Sequence, residues 1–326
     1  MPQHTRRASV ARHAISRRVF LFLEDGVKFE KPFLSIEEQV ERLVDAGMMG
    51  DHDTMAQRLA VVSYHRLSGY WHPFRQPDGA FVPETSFEKV WRRYVFDRQL
   101  RVLVIDAIER FEVTLRTQLA YHHAQAHGPF GYAINRLSRP KMSRKDFPEF
   151  YFNLLEELAR SKEPYIKQFY ADHGDEYDVP PIWEAAEVMS FGCVVTLYRN
   201  TTHNVKQPVA SIFGVPDAVM DSWLLALNTV RNICAHHARL WNRELGTKAL
   251  IPRQKEYPEW HKPVQIGNDR VFGVLTICRH CLKRVAPQSG WANRLQALLD
   301  KYPDIPIASM GFPENWKESP IWQDIK

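Results

Sequence analysis

The residues best suited to chemistry lie in one short segment, Arg231-Asn232-Ile233-Cys234-Ala235-His236. Cleavage of RNA by its own 2′-hydroxyl needs a group that moves protons near neutral pH and a positive charge beside the reacting phosphate. Histidine supplies the first and arginine the second. A fixed guanidinium can stabilise the charge that develops on the equatorial phosphate oxygens, so this reaction requires no metal. The segment therefore predicts Arg231 and His236 as catalytic residues.

Hydrophobic periodicity places this segment on a long helix that runs from Pro216-Asp217 to about Leu245-Gly246, where glycine suits a left-handed C-terminal cap. One side of this helix is apolar: Trp223, Leu227, Val230, Cys234, Ala238, Trp241 and Leu245. The opposite side is polar: Asn232, His236, Arg239 and Arg243. On this polar side we expect Asn232 to orient the His236 imidazole at i,i+4, and both arginines to bind RNA.

The spacing of Arg231 and His236 leaves the predicted site incomplete in one chain. Five residues correspond to about 140° on a straight helix, so the two side chains do not converge on one phosphate. Two such helices related by symmetry would complete one cleft, and we therefore expect a homodimer. The spacing alone also fits a helix whose Arg and His make only capping or surface hydrogen bonds. His237 is the nearest alternative proton carrier, although helical phase places it beside the core.

A second pair with similar spacing, Arg116 and His122, lies on an earlier helix. It is a candidate for a second active pair. Alternatively, Glu109, Glu112 and Arg116 form a second wall of the cleft and orient the first pair. The simplest interpretation is structural: Glu112 and Arg116 form an i,i+4 surface pair, and His122 lies near a fraying helix end.

Several earlier elements can be predicted from turn and cap signals. Ser35-Ile36-Glu37-Glu38 has the form of a capping box at a helix start. Another helix should begin after Thr85 and extend to Gly128-Pro129, a length of about forty residues that predicts a bend or break near Asp97. Gly and Pro in the Tyr64–Phe74 segment predict an aromatic loop between these helices. We consider its Tyr64, His65 and Arg66 as RNA-binding candidates, although turn-stabilised aromatic residues that dock on a helical core are the commoner arrangement.

The remaining patterned segments are also helical, and we find no internal repeat and no convincing strand alternation. The predicted fold class is all-α. The proline-dotted segment 301–326 predicts an extended C-terminal tail. Cys278 and Cys281 have the spacing of half a zinc site, but the other half is missing. We therefore expect buried thiols on a helix, with no metal and no cofactor.

Charge and hydropathy limit the class of protein. The formal net charge is +5, and 44% of residues are hydrophobic, as in an ordinary folded protein. Residues 1–30 predict a flexible basic arm, because five arginines precede the first patterned segment: Arg6, Arg7, Arg12, Arg17 and Arg18. The apolar run that follows is too short for a signal peptide, no stretch could span a membrane, and the four cysteines show no paired framework. These features favour the cytoplasm and no membrane partner.

Beyond the spacing, the block Ser222–Arg243 resembles the bacterial abortive-infection (Abi) family related to AbiD and AbiF, which belongs to the HEPN superfamily. Five further blocks extend the resemblance over roughly residues 35 to 325: Ser63–Phe74, Phe96–Arg101, Ile108–Gln118, Trp183–Gly192 and Met310–Trp316. This sequence matches the family at the Arg-Asn-x3-His positions.

The resemblance implies a HEPN-like helical bundle with an N-terminal helical extension. Its parts would be an N-terminal helical region and aromatic loop at 31–84, a HEPN-like core at 85–300 and the tail at 301–326. It implies a dimeric, metal-independent endoribonuclease that cleaves single-stranded RNA in phage defence or as the toxin of a toxin–antitoxin pair. A structured small RNA or an antitoxin is then an expected partner. The alternative is a non-catalytic RNA-binding or phage-sensing interaction protein.

Overall fold

The computed structural model describes residues 32–134 and 136–323, which form two compact units. The first unit comprises residues up to 66 together with 74–87, and the second comprises 67–73 and the chain from 88 onward. The described residues contain thirteen α-helices and no β-strand, only two isolated β-bridges. The predicted all-α class is confirmed. The predicted basic arm, 1–30, lies outside the described residues.

The first unit contains helices α1 (Ile36–Asp45) and α2 (His52–Val61) and the first turn of α3 (Tyr64–Trp71). The predicted capping box of α1 forms: the Ser35 N–H donates to Glu38 Oε2 at 2.6 Å, and the Glu38 N–H donates to Ser35 Oγ at 3.2 Å. Both backbone groups would otherwise lack a partner at the helix start, so these two bonds fix where α1 begins.

The second unit contains the rest of α3 and the remaining helices: α4 (Phe87–His127, from its second residue), α5 (Gly131–Ile134), α6 (Asp146–Arg160), α7 (Pro164–His173), α8 (Ile182–Val188), α9 (Phe191–Asn200), α10 (His203–Ile212), α11 (Asp217–Ala235), α12 (Val271–Val285) and α13 (Trp291–Lys301). Helix α12 is buried on every side from residue 271 to 282, as expected of a central helix. Its Cys278 and Cys281 are free and buried, and burial raises the pKa of Cys278 to about 12.

Helix α4 runs without interruption for 41 residues, so no break occurs near Asp97. The helix contains no Gly or Pro, and a continuous stripe that includes Leu100, Val104 and Leu115 is fully buried. Asp97 is itself buried on this stripe, where hydrogen bonds satisfy its carboxylate. A polar residue with partners does not interrupt a helix that packs along its whole length.

The segment predicted as an aromatic loop is instead helix α3, followed by a short 3-10 turn at His72–Phe74. Gly69 lies inside the helix, at a cost of about 1 kcal/mol relative to alanine. Burial of Leu67, Tyr70 and Trp71 on one face outweighs that cost. The α-helix ends two residues before Pro73, as expected because proline disfavours helical geometry in the residue before it.

The C-terminal segment is folded onto the core, which differs from the predicted extended tail. It forms 3-10 turns at Ile307–Met310 and Trp316–Glu318. The ring centroids of Phe312 and Trp322 lie 4.5 and 6.0 Å from that of Phe272 on α12. Prolines exclude a long helix here, but the aromatic side chains between them bury enough surface to hold the segment in place.

Among the described residues, no single helix is both long and apolar enough to cross a membrane. One pair bent by 71°, α10 with α11, meets the same test of length and composition. Both helices contribute buried residues to the second unit, including Val205, Val209, Trp223 and Leu227.

Candidate active site

Helix α11 ends at Ala235, about ten residues before the predicted end near Gly246. His236 is its C-cap residue, and His237 has a left-handed backbone with φ of 57°. The His237 N–H donates to the Cys234 carbonyl oxygen at 3.0 Å, and the Ala238 N–H donates to the Ile233 oxygen at 2.9 Å. This pair of bonds is a Schellman motif, which satisfies carbonyl groups that the helix end leaves open.

The early helix end explains why the predicted polar face is wrong. Asn232 is helical, whereas His236, Arg239 and Arg243 lie at or beyond the turn, so a straight-helix projection does not apply to them. His237 is exposed rather than beside the core. The left-handed position of a Schellman motif is usually glycine, and a histidine there gives no sequence signal for a helix end.

A buried carboxylate fixes the chain that follows this turn. Asp97 Oδ1 accepts the Trp241 N–H at 2.6 Å and the Leu240 N–H at 3.2 Å. Its Oδ2 accepts the Tyr70 hydroxyl at 2.6 Å and pairs with Arg101. Burial raises the pKa of Asp97, and Arg101, Tyr70 and the two N–H groups oppose that rise. We call these five residues the Asp97 clamp.

Sequence reasoning missed the role of Asp97, although a signal for it exists. Asp97 and Arg101 are i,i+4 neighbours. Steps of three and then four residues from Arg101 lead to Val104 and Ile108, which are both buried. Charged residues rarely occupy a core stripe unless they are paired, so an Asp/Arg couple on such a stripe predicts a buried polar network.

Arg231 and Asn232 lie side by side in the last turns of α11, both half-buried. Arg231 Nη1 donates to Asn232 Oδ1 at 3.3 Å. His236 is exposed, and its backbone N–H donates to the Asn232 carbonyl oxygen at 3.0 Å. Within the described residues the Asn232 side chain has no hydrogen bond to the His236 ring, so its observed partner is the guanidinium.

The two further arginines predicted to bind RNA support the turn itself. Arg239 Nη1 donates to the Gly69 carbonyl oxygen on α3 at 2.8 Å, and Arg243 Nη1 donates to the Arg239 carbonyl oxygen at 3.2 Å. Both side chains are half-buried. Each guanidinium has five N–H donors, so these bonds leave donors for a phosphate on the same positively charged region.

Arg116 caps a different helix. Its guanidinium donates to the Met189 carbonyl oxygen at 2.6 Å, donates also to the Ala186 oxygen, and pairs with Glu112. The predicted Glu112–Arg116 pair therefore forms, but it is largely buried rather than on the surface. In the part of the chain that the structure describes, no hydrogen bond or ion pair links Arg116 or Glu112 to Arg231.

The remaining second-wall candidates lie on other parts of α4. Glu109 is exposed, and His122 is half-buried, with its ring 5.0 Å from that of Tyr121. His122 is not at a fraying end, because α4 continues to His127. None of the hydrogen bonds or ion pairs among the described residues joins Glu109 or His122 to His236.

A cleft of about 620 Å³ opens one turn before Arg231, at Asn228. Its walls include Ser190 and Gly192 from the start of α9, together with carboxylates of α6 such as Glu149 and Glu157. These carboxylates repel phosphate, whereas Arg231 and the two arginines beyond it attract phosphate. Electrostatics therefore favours the end of α11 over this cleft for binding an anion such as phosphate.

The three RNA-binding candidates from α3 belong to the first unit. Tyr64 is half-buried, and His65 and Arg66 are exposed. Tyr64 and His65 line a cavity of about 430 Å³ together with apolar residues that include Ile36 and Leu59. Tyr64 thus serves at least in part as a packing residue of this unit.

Comparisons with known proteins bear on the same region of the chain. A family model described as Abi-like protein matches residues 57–242, more than half of the chain. The match includes the Arg231–His236 segment and all residues of the Asp97 clamp. Searches of curated proteins and of solved structures found no match.

Proposed function

The chain belongs to the family of Abi-like proteins, and on that premise we propose that it is a metal-independent endoribonuclease that cleaves single-stranded RNA. Family membership supports a role in abortive infection, a form of phage defence. The observation that carries the nuclease proposal is the end of α11, where the adjacent Arg231 and Asn232 are followed one turn later by the exposed His236.

These residues suit an internal transesterification. The ribose 2′-oxygen attacks phosphorus and the bond to the 5′-oxygen breaks, which leaves a 2′,3′-cyclic phosphate and a 5′-hydroxyl. An imidazole accepts the 2′-hydroxyl proton, and an imidazolium gives a proton to the departing 5′-oxygen. Arg231 stabilises the phosphorane charge, and its bond to Asn232 limits the orientations of the guanidinium.

We place this chemistry in a homodimer. One copy of the segment supplies a single His236, whereas the reaction uses a proton acceptor and a proton donor on opposite sides of the phosphate. A symmetric pair would supply two imidazoles and two guanidinium groups in one cleft. A structured small RNA or an antitoxin that covers this cleft would keep a toxin of this kind inactive.

The second candidate function is an RNA-binding or phage-sensing protein without catalysis. Arg239 and Arg243 both donate hydrogen bonds to backbone carbonyl groups. This structural role favours the second function, because it accounts for these two arginines without catalysis. The two functions differ in one property: a binding protein does not need the His236 imidazole, whereas the nuclease does.

The deciding experiment incubates purified protein with end-labelled single-stranded RNA in EDTA and maps the new ends. We expect the parent to cleave and His236→Ala to lose about 10²–10⁴ in rate while remaining folded. His52→Ala, which changes an exposed histidine of the first unit, is the matched control and should cleave like the parent. If the parent does not cleave, the non-catalytic function is the better account. If a folded His236→Ala protein cleaves like the parent, His236 is not the catalyst.

A further inference from the structure

Trp183 is an exposed tryptophan with a hollow on either side. It lies on α8 with 52% of its surface exposed. One hollow, of about 650 Å³, is lined by Trp183, Tyr165 and Glu184 among others. The other, of about 460 Å³, is lined by Trp183, Tyr121 and Glu187 among others. An indole left open between two aromatic-lined hollows is a common feature of binding surfaces.

Both hollows are acidic as well as aromatic. Three carboxylates, Asp172, Glu176 and Glu184, line the larger hollow together with His173, and Glu187 lines the smaller one. Glu184 Oε2 is buried and has no hydrogen-bond partner among the described residues. Burial raises the pKa of Glu184, and a cationic donor placed against this oxygen would lower it again. Glu184 as a whole is half-buried, and a donor from a ligand would supply the hydrogen bond that its Oε2 lacks.

We propose that the surface around Trp183 binds an arginine-containing segment of a partner protein. A guanidinium can stack on the indole face while it donates to Glu184, because its planar fork suits both contacts. Hollows on both sides of Trp183 match neighbouring side chains of a polypeptide better than one small cation. The carboxylates Glu176, Glu184 and Glu187 disfavour RNA here.

The test measures fluorescence anisotropy of a labelled ten-residue peptide that carries four arginines in a serine and alanine background. We expect saturable binding to the parent protein and affinity about tenfold weaker for Trp183→Ala and for Glu184→Gln. Glu314→Gln removes one exposed carboxylate elsewhere in the second unit and should bind like the parent. Circular dichroism checks that each variant retains its helices, and an all-lysine version of the peptide should bind more weakly.

Two patterns of peptide binding would overturn the proposal, and so would the absence of binding. One is equal affinity of the parent, Trp183→Ala and Glu184→Gln, which would mean that the peptide binds through general attraction to acidic surface. The other is displacement of the peptide by equimolar single-stranded RNA whose own binding depends on Trp183, which would identify a base-stacking surface. Absence of peptide binding to the parent would contradict the proposal directly. The outcome is independent of cleavage, because none of these variants touches the end of α11.

Discussion

At the scale of single residues, the contact between Arg231 and Asn232 defines what the guanidinium can do. Nη1 donates to the Asn232 oxygen at 3.3 Å, and the other N–H groups of this guanidinium make no hydrogen bond to the described residues. Arg231 is half-buried and His236 is exposed, so the cation is held against the protein while the imidazole is open to solvent. A guanidinium that is oriented before RNA binds loses less entropy when it meets the reacting phosphate.

His237 gives the first prediction. A histidine in the left-handed region is strained by about 1–2 kcal/mol, which glycine would avoid, although glycine also loses more entropy on folding. His237→Gly should therefore raise the free energy of unfolding by about 0.5–1 kcal/mol in urea denaturation. Asn242→Gly, at a φ of 50°, is the comparison variant. It should gain less, because the short asparagine side chain suits this conformation and because Asn242 Oδ1 accepts a hydrogen bond from Arg270 Nη1 at 3.3 Å.

The same variant separates the two adjacent histidines as proton carriers. RNA cleavage should persist in His237→Gly, since the Schellman turn keeps His236 at the end of α11. Loss of cleavage in a stable His237→Gly protein would identify His237 as the proton carrier and would contradict the assignment to His236.

At the scale of elements, the Asp97 clamp joins α4 and α3 to the turn after α11. Asp97→Asn removes the charge that compensates the buried Arg101, and unpaired buried charges are costly. We expect a loss of about 3 kcal/mol in the free energy of unfolding, measured in urea. Asp106→Asn on the same helix is the control: its pairs with Arg110 and Arg294 are more exposed, and we expect a loss below about 1 kcal/mol. Equal losses would mean that the clamp is not a stabilising network.

Sequence patterns predicted these elements unevenly, for physical reasons. The capping box at Ser35 depends only on neighbouring residues, so the sequence predicts the start of α1 correctly. Helix α3 was missed because its stability comes from the burial of Tyr70 and Trp71, which a local reading of Gly69 cannot include. The end of α11 was missed because its turn depends on a strained His237 and on Asp97, 140 residues away from it in sequence. In each case tertiary contacts overrode local propensity.

At the scale of the whole molecule, two buried histidines predict how stability depends on pH. Burial lowers the pKa of His123 and of His280 to about 3. Both stay neutral in the folded chain while the unfolded chain binds protons below about pH 6.5, so stability falls as pH decreases from 6.5 towards 3. Between pH 6.5 and 5, each buried histidine should lower the free energy of unfolding by up to about 2 kcal/mol.

A substitution tests this pH dependence. Among residues 32–134 and 136–323, neither ring nitrogen of His123 has a hydrogen-bond partner, so His123→Phe removes the titrating group without breaking a described bond. We expect the slope of unfolding free energy against pH, measured by urea denaturation between pH 7 and 5, to become shallower. His65→Phe changes an exposed histidine and should retain the parent slope. An unchanged slope in His123→Phe would show that its neutral form is not a source of acid sensitivity.

The homodimer is a prediction for the assembled molecule. Light scattering should give twice the 38.1 kDa mass of one chain under conditions in which RNA is cleaved. An active monomer would contradict the composite site, unless variants of Arg116 and His122 showed that these residues supply the second half within one chain. Arg116 caps α8, and this structural role makes it less suited to catalysis than Arg231.

The measurement that tests the central claim most directly uses an RNA whose scissile ribose is replaced by 2′-deoxyribose. If Arg231 and His236 catalyse attack by the RNA's own 2′-hydroxyl, the unmodified strand is cut in EDTA to 2′,3′-cyclic phosphate or 3′-phosphate ends, and the deoxy-substituted strand is not cut at that position. Cleavage of the substituted strand at the parent rate, or activity that vanishes in EDTA and returns with magnesium, would contradict the account.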